Sequence, residues 1–207
     1  MKTMSLITAA LMVSAFAFAA ETKTEKKSAS KSKDITIQQE ATGEIKWTGF
    51  GVGKSHAGTI KLKSGTVEMK NENIVGGTFV FDMTTLASDK FDYSEKLTGH
   101  LKSADFFDTE KFNTATFKIT KVSPLKAGPR HFEITGDLTI KDKTNPITFN
   151  AITTKEGQIT KATGSIEIKD RTKYDIVYNS KQFQALSKLG DKLIEDNIKI
   201  DINVMTK

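Results

Sequence analysis

Residues 136–151 read GDLTIKDKTNPITFNA, and apolar side chains occupy every second position on both sides of a short polar stretch. A period of two is typical of a β-strand with one buried face and one solvated face. Asn145 and Pro146 form a turn signal between the two alternating parts. The stretch therefore predicts two β-strands separated by a turn at these two residues. The alternating residues are Leu138, Ile140, Ile147, Phe149 and Ala151.

The same alternation continues through most of the chain from Asp34 onward. Turn signals separate the alternating segments at fairly even intervals, which predicts many short antiparallel strands in one all-β domain. Such a domain is either a β-sandwich or a closed β-barrel. Lys61 and Lys63 stand on the predicted solvated face of one strand, and such charges exclude a barrel embedded in a membrane. The other predicted turns are at Gly43, at Ser64 and Gly65, at Gly76 and Gly77, in the stretch ending at Pro129, and at Glu156 and Gly157.

Two segments depart from the alternation and have the spacing of short helices. Residues 92–104, DYSEKLTGHLKSA, begin with a capping box of Asp92 and Glu95 and place apolar residues on one helical stripe. Residues 179–191, NSKQFQALSKLGD, repeat an apolar residue at every third position before Gly190, which favours a helix stop. We expect two short helices, which either plug the ends of the barrel or pack over an open sheet edge.

The first 33 residues have the features of an export signal followed by a linker. Residues 1–19 combine Lys2, an apolar run and an A-x-A site, which is the pattern of a cleaved secretory signal peptide. Residues 20–33, AETKTEKKSASKSK, contain no large apolar residue and predict a disordered linker rich in Lys and Ser. We therefore expect a periplasmic or secreted protein whose folded domain is residues 34–207. The chain has no cysteine, so neither a disulfide nor a lipid-bearing cysteine contributes.

The positive charge of the chain is concentrated outside the predicted barrel. Lys2 and residues 20–33 account for four of the formal net charges of +6, which leaves +2 on residues 34–207. A domain with so balanced a charge has no basic footprint for nucleic acid. The basic linker is compatible with transient contact with anionic membrane lipid.

The glycine-rich and histidine-containing motifs do not match known catalytic or metal-binding spacings. Residues 47–56, WTGFGVGKSH, end like a phosphate-binding loop but lack the first glycine that such a loop needs. His56, His100 and His131 lie on separate predicted elements, so no two of them share a metal-ligand spacing. We expect no metal and no cofactor. A hydrolase that acts on a lipid-like substrate through His100 and Asp105 remains an alternative.

Four blocks of the sequence together resemble the YceI-like family of exported proteins. In order and spacing they cover nearly all of the chain after the linker, although residues 170–188 depart from the family pattern. The resemblance implies a lipocalin-like antiparallel β-barrel of eight strands around an elongated apolar cavity for long-chain lipids. The implied ligands are isoprenoids, including quinones, and fatty acyl amides. The four blocks are residues 47–65, 100–117, 136–151 and 189–204.

The resemblance and the aromatic content together define a candidate lipid site. The 13 phenylalanines supply large apolar surfaces, and each CH₂ group of a ligand buried against them is worth about 0.8 kcal/mol. His100 and Phe112 are expected at the rim, where His100 meets a polar head group and Asp105 and Asp108 fix the corner by hydrogen bonds. An interaction module with a solid core is a further alternative, and the sequence leaves a homodimer open. The candidate ligand-binding residues are Trp47, Phe79, Phe81, His100, Phe106, Phe107, Phe117, Phe149, Phe183 and Leu186.

Overall fold

Eight antiparallel strands close into a barrel in the computed structural model, which describes residues 36–70, 73–89 and 94–207. Each strand pairs with the next along the chain, and the last strand pairs with the first. The prediction of an all-β, lipocalin-like barrel of eight strands is therefore confirmed. The strands are β1 Thr36–Gly51, β2 Lys54–Lys70, β3 Asn73–Ser88, β4 Thr114–Pro124, β5 His131–Ile140, β6 Lys143–Glu156, β7 Ile159–Ile168 and β8 Ile194–Thr206.

The alternating apolar side chains of the sequence form the inner face of the barrel. In β5 every second residue from Phe132 to Ile140 is buried, and the residues between them are only half-buried. β1 brings Ile45 and Trp47 into the same interior. The period of two therefore reports the side of the wall on which each side chain lies.

The turn in the quoted stretch lies earlier in the chain than predicted. The two residues between β5 and β6, Lys141 and Asp142, have positive φ angles of 49° and 58°. Positive φ at both central residues is the geometry of a type I′ turn, whose twist matches a two-residue β-hairpin. Asn145 and Pro146 instead lie within β6. The predicted turn at these two residues is therefore wrong.

Three other glycine signals mark bends within long strands. Gly43 lies in β1, Gly65 in β2 and Gly77 in β3, each close to a shift in the pairing register. Such β-bulges bend a strand and increase its twist, which helps a sheet of long strands to close into a barrel. The predicted turns at these glycines are therefore wrong, whereas Pro129 and Gly157 do lie in turns between strands.

The wall has two seams near one end of the barrel, called here the upper end, which holds the turns at residues 52–53 and 141–142. β3 pairs with β4 only over residues 77–82 of β3, and β6 pairs with β7 only over residues 151–156 of β6. Toward the upper end, these neighbouring strands separate. Pro146 falls in the separated part of β6, where a strand tolerates proline because one of its sides is unpaired.

Two segments cover the seams. The first cap, residues 94–113, contacts β3 through the ammonium group of Lys102, which donates a hydrogen bond of 2.6 Å to the carbonyl of Thr84. The second cap, residues 169–193, contacts β6 through the side chain of Asn145, which donates a hydrogen bond of 3.3 Å to a carbonyl of the cap. Both caps therefore lie at the upper end of the barrel.

Both predicted helices form, but the second is much shorter than expected. The first cap begins with helix α1, Ser94–Lys102, and the predicted capping residue Asp92 lies outside the described residues. The second cap contains a single α-helical turn, α2 Leu186–Leu189, and Phe183 lies in a turn before it. Within the described ranges, no helix has both the length and the apolar character needed to cross a membrane.

Candidate ligand-binding cavity

The interior of the barrel contains a cavity of about 430 Å³. Side chains from all eight strands line it, and most of them are aliphatic or aromatic. Small-molecule sites in proteins have volumes of roughly 300 to 1,000 Å³, so the cavity is large enough for a ligand. A lining that is apolar over most of its length suits a molecule with a long hydrocarbon part.

Three phenylalanine rings form a row across the wall of this cavity. The rings of Phe79 and Phe117 stack with centroids 6.5 Å apart, and the ring of Phe117 lies 5.7 Å from that of Phe149. A Cβ atom added to Gly136 would lie only 2.4 Å from Cζ of Phe117, and one added to Gly65 would lie 3.1 Å from Cδ1 of Phe79. The missing side chains of these glycines therefore let two of the rings pack close to the neighbouring strand.

Both ends of the cavity contain polar residues, but only the upper end has charged ones. Toward the lower end, the buried residues Thr160 and Thr206 line the cavity and share a hydrogen bond of 2.9 Å between the Thr160 N–H and the Thr206 hydroxyl. At the upper end, the exposed residues Lys54 and Lys192 belong to the lining, together with the half-buried Glu195. The polar mouth of the cavity therefore lies at the upper end, beside the two caps.

His100 connects the two caps at this mouth. Its ring lies 5.4 Å from the ring of Phe106 in the first cap and 4.6 Å from the ring of Tyr178 in the second, both in edge-on geometry. The guanidinium of Arg171 stands 5.6 Å from the centroid of Phe106, close enough for a cation–π contact. His100 therefore packs against aromatic rings, and its ring nitrogens can donate or accept a hydrogen bond.

Backbone hydrogen bonds, rather than the predicted carboxylates, fix the corner after α1. The carbonyl of Ser103 accepts hydrogen bonds from the N–H groups of Phe106 at 3.0 Å and Asp108 at 2.9 Å. Asp105 is exposed, and in the part of the chain that the structure describes no hydrogen bond or ion pair joins it or Asp108 to His100. The prediction that carboxylates hold this corner is wrong. The structure also does not assemble the His100 and Asp105 pair of the hydrolase alternative.

A single buried side chain, Arg171, holds the second cap together. Arg171 is 1% exposed, and its guanidinium donates hydrogen bonds to four backbone carbonyls. It also forms an ion pair of 3.5 Å with the buried carboxylate of Asp196 on β8. Arg171 therefore ties the beginning of the cap to its later residues and to the start of β8. The four acceptors are the carbonyls of Ile176 at 2.7 Å, Tyr178 at 2.9 Å, Ile194 at 3.2 Å and Glu195 at 3.1 Å.

Two ionisable groups beside Arg171 have shifted pKa values. Burial raises the pKa of Tyr174 to about 12, although a hydrogen bond with Asn145 opposes the shift. Burial would also raise the pKa of Asp170, but hydrogen bonds from the hydroxyl and amide of Thr172 outweigh it and lower that pKa. At neutral pH the second cap therefore holds a neutral tyrosine and an ionised aspartate.

Eight of the ten candidate ligand-binding residues lie in the wall of the cavity. Phe183 and Leu186 do not, because they are 60% and 62% exposed on the second cap, so their expected position in the cavity is wrong. Phe112 of the predicted rim also lies outside the lining, with the ammonium group of Lys111 5.0 Å from its ring centroid. That the other eight bind a lipid stays a prediction. They are Trp47, Phe79, Phe81, His100, Phe106, Phe107, Phe117 and Phe149.

The sequence did not identify most polar residues of the mouth. They come from the start of β2, the second cap and the start of β8, which share no periodic pattern. The one sequence signal was the departure of residues 170–188 from the family pattern. No cluster of three or more candidate metal ligands occurs within residues 36–70, 73–89 and 94–207. The missed residues of the mouth are Lys54, His56, Arg171, Tyr178, Asn179, Lys192, Glu195 and Asn197.

The chain belongs to the YceI-like family, because the model of the YceI-like domain matches residues 21–206. Protein YceI of Escherichia coli O157:H7 is 35% identical over 112 residues, which cover 45% of this chain and 57% of the relative. A UPF0312 protein of Vibrio cholerae serotype O1 (strain ATCC 39315 / El Tor Inaba N16961) is 39% identical over 79 residues, 38% of this chain and 40% of the relative. The chain thus spans about half the length of the curated relatives it matches.

Two solved structures share the fold at low sequence identity. BcnA of Burkholderia cenocepacia superposes with a TM-score of 0.64 and 17% identity, over 81% of this chain and 96% of that chain. A polyisoprenoid binding domain from Saccharophagus degradans, implicated in plant cell wall breakdown, superposes with a TM-score of 0.58 and 12% identity, over 83% of this chain and 99% of that chain. Likeness at these identities establishes the architecture of the barrel.

Proposed function

We propose that this chain is a lipid-binding protein that holds one long-chain isoprenoid or another lipid, such as a quinone or a fatty acyl amide, in its barrel. The observation that carries the proposal is the cavity of about 430 Å³, whose lining is largely apolar and whose charged groups gather at one end. An amphiphilic lipid has the same division between hydrocarbon and head group. Membership of the YceI-like family and the polyisoprenoid-binding neighbour support this ligand class.

The polar head group of the ligand lies at the mouth, between the two caps. The rings of His100 and Tyr178 are in contact there, where the two caps meet, and Lys54 and Lys192 add positive charge. Each hydrogen bond to the head group contributes about 0.5 to 1.5 kcal/mol, whereas the buried hydrocarbon supplies most of the affinity. The protein therefore selects its ligand mainly by the length and thickness of the hydrocarbon part.

The binding protein works outside the cytoplasm and performs no chemical step on its ligand. The signal-peptide pattern of residues 1–19 supports export to the periplasm or beyond. In an aqueous compartment a long-chain lipid needs a carrier, because each exposed CH₂ group costs about 0.8 kcal/mol relative to burial. Transport, storage or sequestration of the lipid is the task that this binding supports.

Filling the cavity tests the proposal directly. Ala151 is 3% exposed and lines the cavity on β6. We expect Ala151→Phe to abolish the retention of a non-covalent lipid, measured by native mass spectrometry after gentle purification from the protein's own host. The melting temperature should change little, because the added ring occupies space that a ligand would fill.

A matched control uses the same substitution on the outer face of the same strand. Asn150 is exposed, so Asn150→Phe should leave the ligand mass and the melting temperature unchanged. In a solid core, the extra ring of Ala151→Phe would instead cost about 1 to 3 kcal/mol of stability through overpacking. Such a loss, together with no ligand mass on the unsubstituted protein, would contradict the proposal and favour an interaction module.

A further inference from the structure

Two large apolar side chains of the second cap are exposed to solvent. Phe183 is 60% exposed and Leu186 is 62% exposed, more than any other large apolar residue in the described part of the chain. Exposed large apolar groups that lie near each other on a folded domain mark interaction sites more often than chance. The pair lies within residues 181–192, called here the docking loop, in which every residue except Leu189 is exposed.

The docking loop is also basic. It contains Lys181, Lys188 and Lys192, all exposed, and Asp191 is its one acidic residue. Among residues 36–70, 73–89 and 94–207, no ion pair occupies these three ammonium groups. Apolar side chains flanked by lysines are the composition by which a protein surface binds an anionic lipid bilayer.

The loop has a fixed position although its side chains are exposed. Gln182 donates hydrogen bonds of 3.1 Å to the carboxylate of Asp170 and 2.9 Å to that of Asp196. At the other end of the loop, Leu189 is 3% exposed and anchors α2. With the loop held at these two points, Phe183, Leu186, Lys181 and Lys188 remain exposed, so exposure of the apolar pair is built into the cap.

The docking loop begins and ends at the mouth of the cavity. Tyr178 and Asn179 precede it, Leu193 follows it, and all three line the cavity. The turn of β1 and β2 lies beside the same rim, because a Cβ atom on Gly51 would come within 3.1 Å of the Leu193 carbonyl. This turn adds a further exposed apolar residue, Val52, which is 50% exposed.

We propose that the docking loop binds the surface of an anionic lipid bilayer, with Phe183 and Leu186 inserted among the lipids and the lysines against the phosphate groups. This orientation places the mouth of the cavity at the membrane. The inference goes beyond the proposed function, because binding to a bilayer requires no ligand in the barrel. It also supplies a route by which a lipid enters or leaves the cavity without crossing water.

Sedimentation with lipid vesicles tests the proposal. The full chain is mixed with vesicles of phosphatidylcholine alone and with vesicles that also contain phosphatidylglycerol, and the bound fraction is measured. We expect binding to the anionic vesicles, weakened at least tenfold by Phe183→Ser with Leu186→Ser. Lys181→Gln with Lys188→Gln should weaken it about 25-fold, since each lysine near an anionic surface contributes roughly fivefold. Lys192 is left unchanged because it lines the cavity.

Matched controls use exposed residues of the lower end. Ile37→Ser with Ile159→Ser removes two apolar side chains that are 58% and 43% exposed, and Lys121→Gln with Lys126→Gln removes two exposed charges. Neither pair should change vesicle binding. Equal losses in the loop variants and in these controls would overturn the proposal, because binding would then depend on overall charge and apolar surface.

The basic residues 20–33 need a separate control, since their five lysines also attract anionic lipid. With those lysines changed to Gln, the difference between the unsubstituted docking loop and its Phe183→Ser, Leu186→Ser variant should persist. Loss of all vesicle binding in that linker variant, or no binding by the original chain, would overturn the docking proposal. Native mass spectrometry of the same samples measures lipid in the cavity independently, so a failure of docking is distinguishable from a failure of the proposed function.

Discussion

The two caps cover equivalent seams of one barrel, but different interactions hold them. In the first cap, backbone N–H and carbonyl groups of α1 and of the turns after it form hydrogen bonds with one another, such as those that the Ser103 carbonyl accepts. In the second cap, the side chain of Arg171 supplies donors to four backbone carbonyls, two within the cap and two at the start of β8. A seam can therefore be closed by secondary structure or by one buried cation, and only the first solution leaves a periodic pattern in the sequence.

The difference predicts that the second cap depends far more on a single residue. Arg171→Met keeps an unbranched apolar stem but removes every donor and leaves Asp196 buried without its cation. Removing one partner of a buried ion pair costs about 3 to 5 kcal/mol. We expect the melting temperature to fall by about 6 to 20 °C, measured by circular dichroism, since 1 kcal/mol shifts a domain of this size by roughly 2 to 4 °C.

The counterpart in the first cap is Lys102, whose single hydrogen bond reaches the carbonyl of Thr84. Lys102→Met should lower the free energy of unfolding by only about 0.5 to 1.5 kcal/mol. Similar losses in Lys102→Met and Arg171→Met would show that the two caps are held alike.

A smaller effect than that of Arg171→Met concerns Asp170, which caps the 3₁₀ turn Arg171–Tyr174 by accepting a hydrogen bond from the Thr172 amide. Asp170→Ala should cost about 0.5 to 2 kcal/mol at neutral pH, measured by urea denaturation. Because the pKa of Asp170 is lowered in the folded protein, its ionised form contributes stability above the ordinary pKa of 3.8, and this is lost as the pH falls through the folded-state value. The stability gap between the original chain and the variant should therefore shrink below pH 3.8.

The exposed residue Asp191 of the same cap provides the control for this titration. Asp191→Ala removes a carboxylate without removing a cap, so it should change stability little at any pH. A gap for Asp170→Ala that stays constant from neutral to acid pH would mean that the charge of Asp170 contributes nothing.

A further small effect is expected where the two caps meet, at the rings of His100 and Tyr178. A double-mutant cycle with His100→Ala and Tyr178→Ala should give a coupling energy of about 0.5 to 1.5 kcal/mol, the usual value for an edge-on ring pair. The measurement is the free energy of unfolding of the four proteins. A coupling energy near zero would show that the two caps contribute to stability independently and that His100 is stabilised only by contacts within the first cap.

The sequence predicts the barrel well because its wall obeys one rule, the alternation of buried and exposed residues. It places the strands and the inward rings such as Phe117 correctly. It misplaces turns, because a glycine in a bulge, as at Gly65, and a glycine in a turn look alike without the register. The Lys141 and Asp142 turn has no glycine at all, although both residues have positive φ.

The mouth of the cavity is largely hidden from sequence reasoning because long-range contacts build it. Tyr178 contacts His100 although the two residues are far apart in the chain. Arg171 donates hydrogen bonds to backbone carbonyls, and because every residue has one, the residue types at the acceptor positions do not predict these bonds. Phe183 and Leu186 show the opposite failure. Their apolar spacing predicts a helix and both are candidate ligand-binding residues, whereas the structure leaves both exposed on the second cap.

Gly136, which lies beneath the ring of Phe117, affects the width of the cavity inside the barrel. The ring of Phe117 lies in a recess of the wall, which exists because β5 has no Cβ atom at Gly136. The ring therefore takes up less of the space inside the barrel. A methyl group at Gly136 would push the ring inward and narrow the passage for any hydrocarbon chain. The width of the cavity is thus set in part by a residue that does not itself line it.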